Sequence, residues 1–396
     1  MTPQRRGWCP SLYDPMPTGD GLLVRVKPPG ARLPAPAARV LAEAAAHYGN
    51  GVIELTRRGN LQVRGLRPDG VAPFAAAMVA AGLADPDPER ERRRVVIAPS
   101  LAGDDPAAAD GGLAERIEAV LANGPALASK FCIAVDAGGV LAGWPLTADI
   151  LVRIEAGRHW ITPGDGPSAP DRTIDEIIRL TTEAAGKRLF PLSLRAWAAA
   201  RTKAGVRERA GAAPGPDEPL AFGAGSAPLR SEDPLTPAWR EGEKIGYHPY
   251  PGTDRGALAL GLPLRQLDPP TLHARAALSD RFGGGAVRTT PWRALLLGQV
   301  CAADLPAARA AAQAAGLATD PADPRLHVTS CIGSPGCASA SVPARQDAAR
   351  LAREGHGPLH LSGCAKGCAY PGGVPALVGH AGAYTLIHDW VPGLPA

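Results

Sequence analysis

An excess of charge of either sign is missing from this sequence: 42 Lys and Arg face 38 Asp and Glu, a formal net charge of +4. That balance argues against nucleic acid or a membrane surface as a general partner. Local clusters such as Glu89-Arg90-Glu91-Arg92-Arg93-Arg94 read as solvated faces. Also missing is any apolar run approaching the roughly 18–20 residues of a membrane span. The opening residues, with Pro3, Arg5, Arg6 and Trp8, contain no apolar h-region, which predicts a protein retained in the cytoplasm. No complete G-x-G-x-x-G follows a strand, and Gly223-Ala-Gly225 is a poor match, so no bound dinucleotide is expected. What is present is ordinary for a globular chain: 396 residues, 45 % hydrophobic and 20 % charged, enough for two or three domains with real cores.

Four of the seven cysteines fall together near the end, as Cys331-Ile-Gly-Ser-Pro-Gly-Cys337 and Cys364-Ala-Lys-Gly-Cys368. Small residues fill most of the gaps, so the backbone can wrap closely round an inorganic body. Thiolates are the preferred ligands of soft iron-sulfur centres. Structural zinc, a disulfide pair or buried thiols are the plainer readings. The five-residue gap counts against zinc, and a reducing compartment leaves thiolates free for metal. A [4Fe-4S] cluster is the favoured reading. Cys9, Cys132 and Cys301 are assigned to no metal, with Cys301 read as a core thiol and Cys132 as facing a cavity.

Taken in order, the chain repeats a unit. After an irregular arm over 1–20, Leu22 to Val26 reads as a strand, residues 37–48 as a helix stopped by Gly49, and Val52 to Leu66 as a long extended stretch. Downstream, Gly256 to Leu262, a helix over 271–282 stopped by Gly283, and an extended run from Ala286 to Gly298 follow the same plan. Each unit is followed by α/β material. In the first half this is a helix over 113–123, strand Phe131 to Val135, a hairpin turn at Asp136-Ala-Gly-Gly139 and strand Ile150 to Ile154. In the second it is a helix over 306–316, strand Leu326 to Thr329, a helix over 342–354 capped by Ser341, strand Leu359 to Leu361 and a closing hairpin. Residues 204–240, rich in Gly, Pro and Ala, read as a linker. Each cysteine pair begins at the C-terminal end of a strand, where open α/β sheets place ligands.

Strict alternation sets Thr56, Arg58, Asn60, Gln62 and Arg64 on one face of the first long stretch. Such a face is either the solvent side of a sheet or a row of donors. Spaced every ~7 Å, the donors would suit an anion carrying several carboxylates. Ser129-Lys130-Phe131-Cys132 and Arg94 to Gly103 are two shorter elements of the same kind.

Together these residues resemble the nitrite/sulfite reductase superfamily and, more closely, its precorrin-3B synthase branch. The cysteine pattern inside Thr329-Ser-Cys-Ile-Gly333 and Ser362-Gly-Cys-Ala-Lys-Gly-Cys-Ala369 is similar to the superfamily's cluster signature. Arg6-Gly-Trp-Cys-Pro10, Met16 to Arg25 and Thr290-Pro-Trp-Arg293 resemble the synthase branch. The resemblance implies an α+β, pseudo-two-fold fold: ferredoxin-like units at 21–70 and 241–300, α/β units at 90–203 and 301–396, and a [4Fe-4S] site on Cys331, Cys337, Cys364 and Cys368. It further implies that Arg58, Arg94 and Lys130 meet carboxylates, with Lys130 catalytic, and Arg64 joins them from the polar face. One departure stands out: the second lysine of the reductases' pair is Cys132 here. The loss of that cation argues against sulfite or nitrite as substrate.

The activity implied is O2-dependent hydroxylation of precorrin-3A with lactone formation, in aerobic cobalamin biosynthesis. It would use the cluster, a mononuclear non-haem iron and electrons from a separate reductase or ferredoxin, with no sirohaem. His327 and His360, each four residues before a cysteine pair, are candidate iron ligands. The alternatives are a sirohaem-dependent sulfite or nitrite reductase, and an iron-sulfur carrier or tetrapyrrole-binding protein without chemistry of its own.

Overall fold

Apolar alternation and glycine stops build much of the first half as expected, with the largest exception in its longest expected strand. The computed structural model describes residues 9–108, 111–124, 126–127, 131–142, 148–155, 158–163, 169–170 and 244–390. Lys130 and the linker over 204–240 lie outside these. The arm is not wholly irregular: β1 (Met16–Thr18) pairs antiparallel with β2 (Gly21–Val26). β3 (Arg32–Pro34) runs straight into α1 (Ala35–Tyr48), which accepts a proline in its first turn. Ala38, Leu41, Ala42 and Ala45 form its buried stripe at helical spacing.

That largest exception is the stretch from Val52 to Leu66, which is two strands, β4 (Ile53–Leu55) and β5 (Leu61–Leu66). They form a hairpin closed by the Thr56 N–H donating to the Asn60 carbonyl at 2.9 Å. Thr56 Oγ1 accepts from the N–H groups of Arg58 and Asn60, and Gly59 takes the left-handed φ of 69° that the reversal requires. Thr56, Arg58 and Asn60 therefore occupy a turn, off the strand face that carries Gln62 and Arg64. α2 (Val71–Ala80) and α3 (Pro88–Arg92) lead to the first α/β unit: β6 (Val96–Ile97), α4 (Leu113–Ala122), β7 (Ile133–Asp136), β8 (Ile150–Glu155), β9 (Arg158–Pro163) and β10 (Ala169–Pro170). β7 and β8 run parallel, so Asp136 to Gly139 opens a crossover and not the expected hairpin.

The second half repeats this plan. β11 (Gly246–Pro249), β12 (Arg255–Leu260), β13 (Gln266–Leu267), α5 (Pro269–Phe282), β14 (Ala286–Thr289), β15 (Leu295–Cys301) and α6 (Leu305–Ala314) form the sheet unit. β16 (Val328–Ser330), α7 (Ala344–Arg353), β17 (Leu359–Ser362), β18 (Ala376–His380) and β19 (Ala383–Ile387) form the α/β unit. Leu326 sits in a short 3₁₀ turn before β16, and α7 follows Pro343 with no side-chain cap from Ser341. The sheet orders correspond: β1-β2-β5-β4-β13 with β11-β12-β15-β14-β3, and β6-β7-β8-β9 with β16-β17-β18-β19.

The correspondence extends to single hydrogen bonds. Gly49 and Gly283 stop α1 and α5 with the same bond to the fourth preceding carbonyl, at 3.2 and 3.1 Å. Thr290 Oγ1 accepts from the Ala294 N–H at 2.9 Å, as Thr56 does from Asn60 at 3.1 Å. Arg293, at φ 62°, stands where Gly59 stands. Each half also lends the other an edge: β3 pairs with β14 and β13 with β4. One core, including Leu41, Leu61, Phe74, Leu272 and Leu297, therefore runs through both halves. The fold is α+β with pseudo-two-fold symmetry, and neither sheet is complete without the other half.

Candidate active site

β16 and β17 are parallel neighbours, with Ser330 beside Leu361, so the chain leaves both strands at the same end. That brings Cys331 to Gly363-Cys364. The Cys331 N–H donates to the Leu361 carbonyl at 3.0 Å, and the Gly363 N–H donates to Cys331 Sγ at 3.0 Å. Only glycine fits at 363, because a Cβ there would stand 2.6 Å from Ala340 Cβ. Cys337 is held by its N–H on the Gly333 carbonyl at 2.9 Å. None of the four cysteines is in a disulfide.

Burial pushes the Cys331 thiol up; the N–H groups of Gly363 and Gly333 oppose this, and Cys364 and Cys337 add to it. Cys368 is pushed up to about 11, mainly by burial and further by Cys331, Cys364 and Cys337. Burial thus disfavours the anions of Cys331 and Cys368, and cationic charge at the loops would favour them. Among the described residues no three His, Cys, Asp or Glu converge on a single metal ion. A four-iron cube is a body several ångströms across and takes its thiols from positions further apart than the ligands of a single ion.

The same observation bears on the mononuclear iron, which finds no ligand set among the described residues. His327 is exposed and lies before β16, while His360 is fully buried on β17 beside Thr329, whose Oγ1 is 2.8 Å from its Nδ1. The two are not cross-strand neighbours. Burial first, then Arg265, Arg293 and Arg57, hold His360 well below the usual imidazole range, so it is neutral.

Arg64 anchors the cysteine loop. Its guanidinium is bidentate to Asp20, at 3.0 and 2.9 Å, and donates to the Gly336 carbonyl at 2.8 Å. Glu54 lies 3.7 Å away and also takes Arg345 and Gln62. Burial alone would raise the Glu54 carboxyl, but Arg345 and Arg64 outweigh it and hold it below the usual carboxylate range. Arg64 is 4 % exposed and is absent from the lining of the cavity described next. Its hydrogen bonds to Asp20 and Gly336 are made within the fold.

A cavity of about 700 Å³ lies between the first sheet, the β4–β5 turn and the α/β unit of β6 and β7. Arg58 and Arg94 line it, as does Phe131, next to Lys130. Arg94 is already engaged by Glu91, at 2.9 Å, and by the carbonyls of Leu83 and Lys27. Arg25, Lys27 and Cys9, which the sequence reading passed over, line it too. The signal was there for the first two, since Arg25 and Lys27 alternate with the buried Val24 and Val26. Val96, Ile97 and Phe131 supply an apolar wall.

Cys132 does not line the cavity. It is buried with Ile97, Ala134 and Ala148, and its N–H donates to Asp149 at 2.9 Å. Cys301 is not a core thiol either: it is partly exposed at the end of β15, 3.8 Å from Asp254. None of the four clustered cysteines touches the cavity, yet one turn reaches both places. Arg58 lines the cavity, while Arg57 donates to the carbonyl of Tyr370, two residues past Cys368.

Comparison with known proteins agrees with this architecture. The family model described as a nitrite/sulfite reductase ferredoxin-like half domain matches twice, over residues 14–81 and 248–315. A precorrin-3B synthase from Sinorhizobium sp is 32 % identical over an alignment 432 positions long, covering 99 % of this chain and 85 % of that protein. The solved structure of the NirA protein of Mycobacterium tuberculosis superposes with a TM-score of 0.60 at 19 % identity, over 92 % of this chain and 73 % of that one. At that identity the likeness is one of fold.

Proposed function

Since the chain belongs to the precorrin-3B synthase family, within the nitrite/sulfite reductase superfamily, we propose that it hydroxylates precorrin-3A with O2 and closes a ring-A acetate lactone in aerobic cobalamin biosynthesis. It is an oxidoreductase. In the proposed reaction one oxygen atom of O2 enters the substrate and the other leaves as water, using two electrons and two protons. A separate reductase or ferredoxin delivers the electrons.

The observation that carries the reading is the cavity, which sets cationic side chains against an apolar wall, with the β4–β5 turn reaching from it to Tyr370, two residues past Cys368. A tetrapyrrole rich in carboxylates has that chemistry: a flat apolar body for Val96, Ile97 and Phe131, and a charged rim for Arg25 and Arg58. When bound on Cys331, Cys337, Cys364 and Cys368, a [4Fe-4S] cluster supplies the single electrons that O2, kinetically inert towards closed-shell molecules, requires. The protein's own part is positional. Arg58 fixes the substrate's rotation in the cavity, and so which methine carbon reacts. Arg94, engaged by Glu91, sets the wall behind it, and Lys130 is proposed as a further carboxylate partner.

An absorption spectrum of anaerobically purified protein tests the choice between substrate and prosthetic group. The broad shoulder of a cluster alone is expected; sharp sirohaem bands would favour a sulfite or nitrite reductase instead. A second test concerns Arg58. Arg58→Ala is expected to weaken binding of a polycarboxylate porphyrin roughly 10- to 100-fold, the worth of a charge-assisted hydrogen bond. Unchanged affinity by fluorescence titration would remove Arg58 from the site.

A further inference from the structure

Lys27 follows Arg25 by two residues, immediately after β2 ends at Val26, and reaches the same cavity. Its Nζ donates to the Glu91 carbonyl at 2.8 Å, its one hydrogen-bond partner among the described residues. That bond fixes the side chain and leaves its remaining donors for the cavity. The charges facing it come from three directions: Glu91 and Arg94 at the α3 end, Glu118 on α4, and Arg58 in the β4–β5 turn. Glu91 is itself occupied by Arg94 and by the Asp85 N–H, at 2.9 Å each. Glu118, whose carboxyl burial pushes up, lines the cavity with Lys27.

We propose that Lys27 is a substrate-binding residue that holds a substrate carboxylate as an ammonium and lets it go on losing its proton, a switch no arginine in the cavity can make. The inference rests on the reading of the cavity as a tetrapyrrole site. An arginine stays charged throughout the range in which proteins work. Lys27 does not. Burial pulls it down first, Arg94 and Arg58 pull the same way, Glu91 and Glu118 oppose them, and the balance lies at about 8. A carboxylate bound there stabilises the charged form, so binding and protonation are linked. Above this value the ammonium is lost and the carboxylate faces a neutral amine.

The test is a titration of uroporphyrin III, an octacarboxylate, followed by quenching of its fluorescence at about pH 7 and about pH 9.5, where its carboxylates are fully ionised. Wild-type protein is expected to bind about tenfold more weakly at the higher pH. Lys27→Arg is expected to bind equally at both. Lys27→Met is expected to bind about tenfold more weakly than wild type at the lower pH and to show no slope. Thermal melts of both variants report on the fold.

A flat wild-type profile overturns the proposal, and so does a wild-type slope retained in Lys27→Met, which would pass the effect to another group. In either case the tetrapyrrole reading stands as long as the porphyrin binds. If wild-type protein binds neither uroporphyrin nor the tetracarboxylate coproporphyrin at either pH, both readings fall together.

Discussion

Cys331→Ala protein, purified without air, should contain almost no iron at the cysteine loops, where wild type should hold about four irons per chain. Cys331 is fixed at the end of β16 by its own N–H and approached by the Gly363 N–H at 3.0 Å. Replacing it removes a ligand and leaves the Gly363 N–H facing a void. Three thiols leave one iron of a four-iron cube without a protein ligand, which makes the cluster labile. Among the described residues no group of three His, Cys, Asp or Glu is placed to hold a metal ion. Cys301→Ala is the control: that thiol is partly exposed beside Asp254, away from the loops, and its loss should leave the iron untouched. Iron and sulfide assays on the three proteins decide it. Full iron in Cys331→Ala would overturn the ligand assignment.

Arg64→Met should be the most destabilising single change to the site's support, by about 3–5 kcal/mol. The substitution strands Asp20 and Glu54, two largely buried carboxylates, without their shared cation, and it frees the Gly336 carbonyl in the cysteine loop. Loss of iron should therefore accompany the fall in melting temperature. Arg64→Lys keeps the charge but not the bidentate fork and should fall in between.

The pH dependence has a definite sign. Both carboxyls are held below their ordinary values, because arginine contacts outweigh the effect of burial. Their contribution is thus fully present above about pH 4, the unfolded range, and is lost as pH falls through the lower folded values. Melting curves for Arg64→Met within a degree or two of wild type near neutrality would contradict this account.

Much of the architecture could be read from residue order. The glycine stops at Gly49 and Gly283 and the matched strands around them already show a repeat, and the shared hydrogen bonds at Thr56 and Thr290 extend it. What could not be read depended on partners distant in sequence. Nothing local to Arg32–Pro34 or Gln266–Leu267 indicates that each completes the other half's sheet. The β4–β5 turn was hidden because Leu55 and Leu61 stay in phase across it, so alternation continues through a reversal. Gly138-Gly139 suggested a hairpin, although the distance to Ile150 suits a crossover better.

The site shows the same division. The clustered cysteines carry their own signal, in thiols and in small residues at close approaches such as Gly363. Arg64 could be recognised as a cation, but not as the partner of Asp20, which only the fold brings to it. The two halves also diverge where the symmetry would allow a second site. The loops after β6 and β7, counterparts of the cysteine loops, pack Leu101, Ala108 and Leu141 against Trp292 and carry no thiols. Trp292 stands in its turn where Arg58 stands in the other. One half of the repeat is filled with apolar side chains, and the other keeps the cysteines.

The central claim, that this chain oxygenates a tetrapyrrole, is tested most directly by incubating it with precorrin-3A, a reductant and ¹⁸O2 and weighing the product. A product enriched by one labelled oxygen atom, formed only with reductant and absent with Cys331→Ala, is the predicted result. Precorrin-3A recovered unlabelled and unchanged from iron-replete wild-type protein would contradict it.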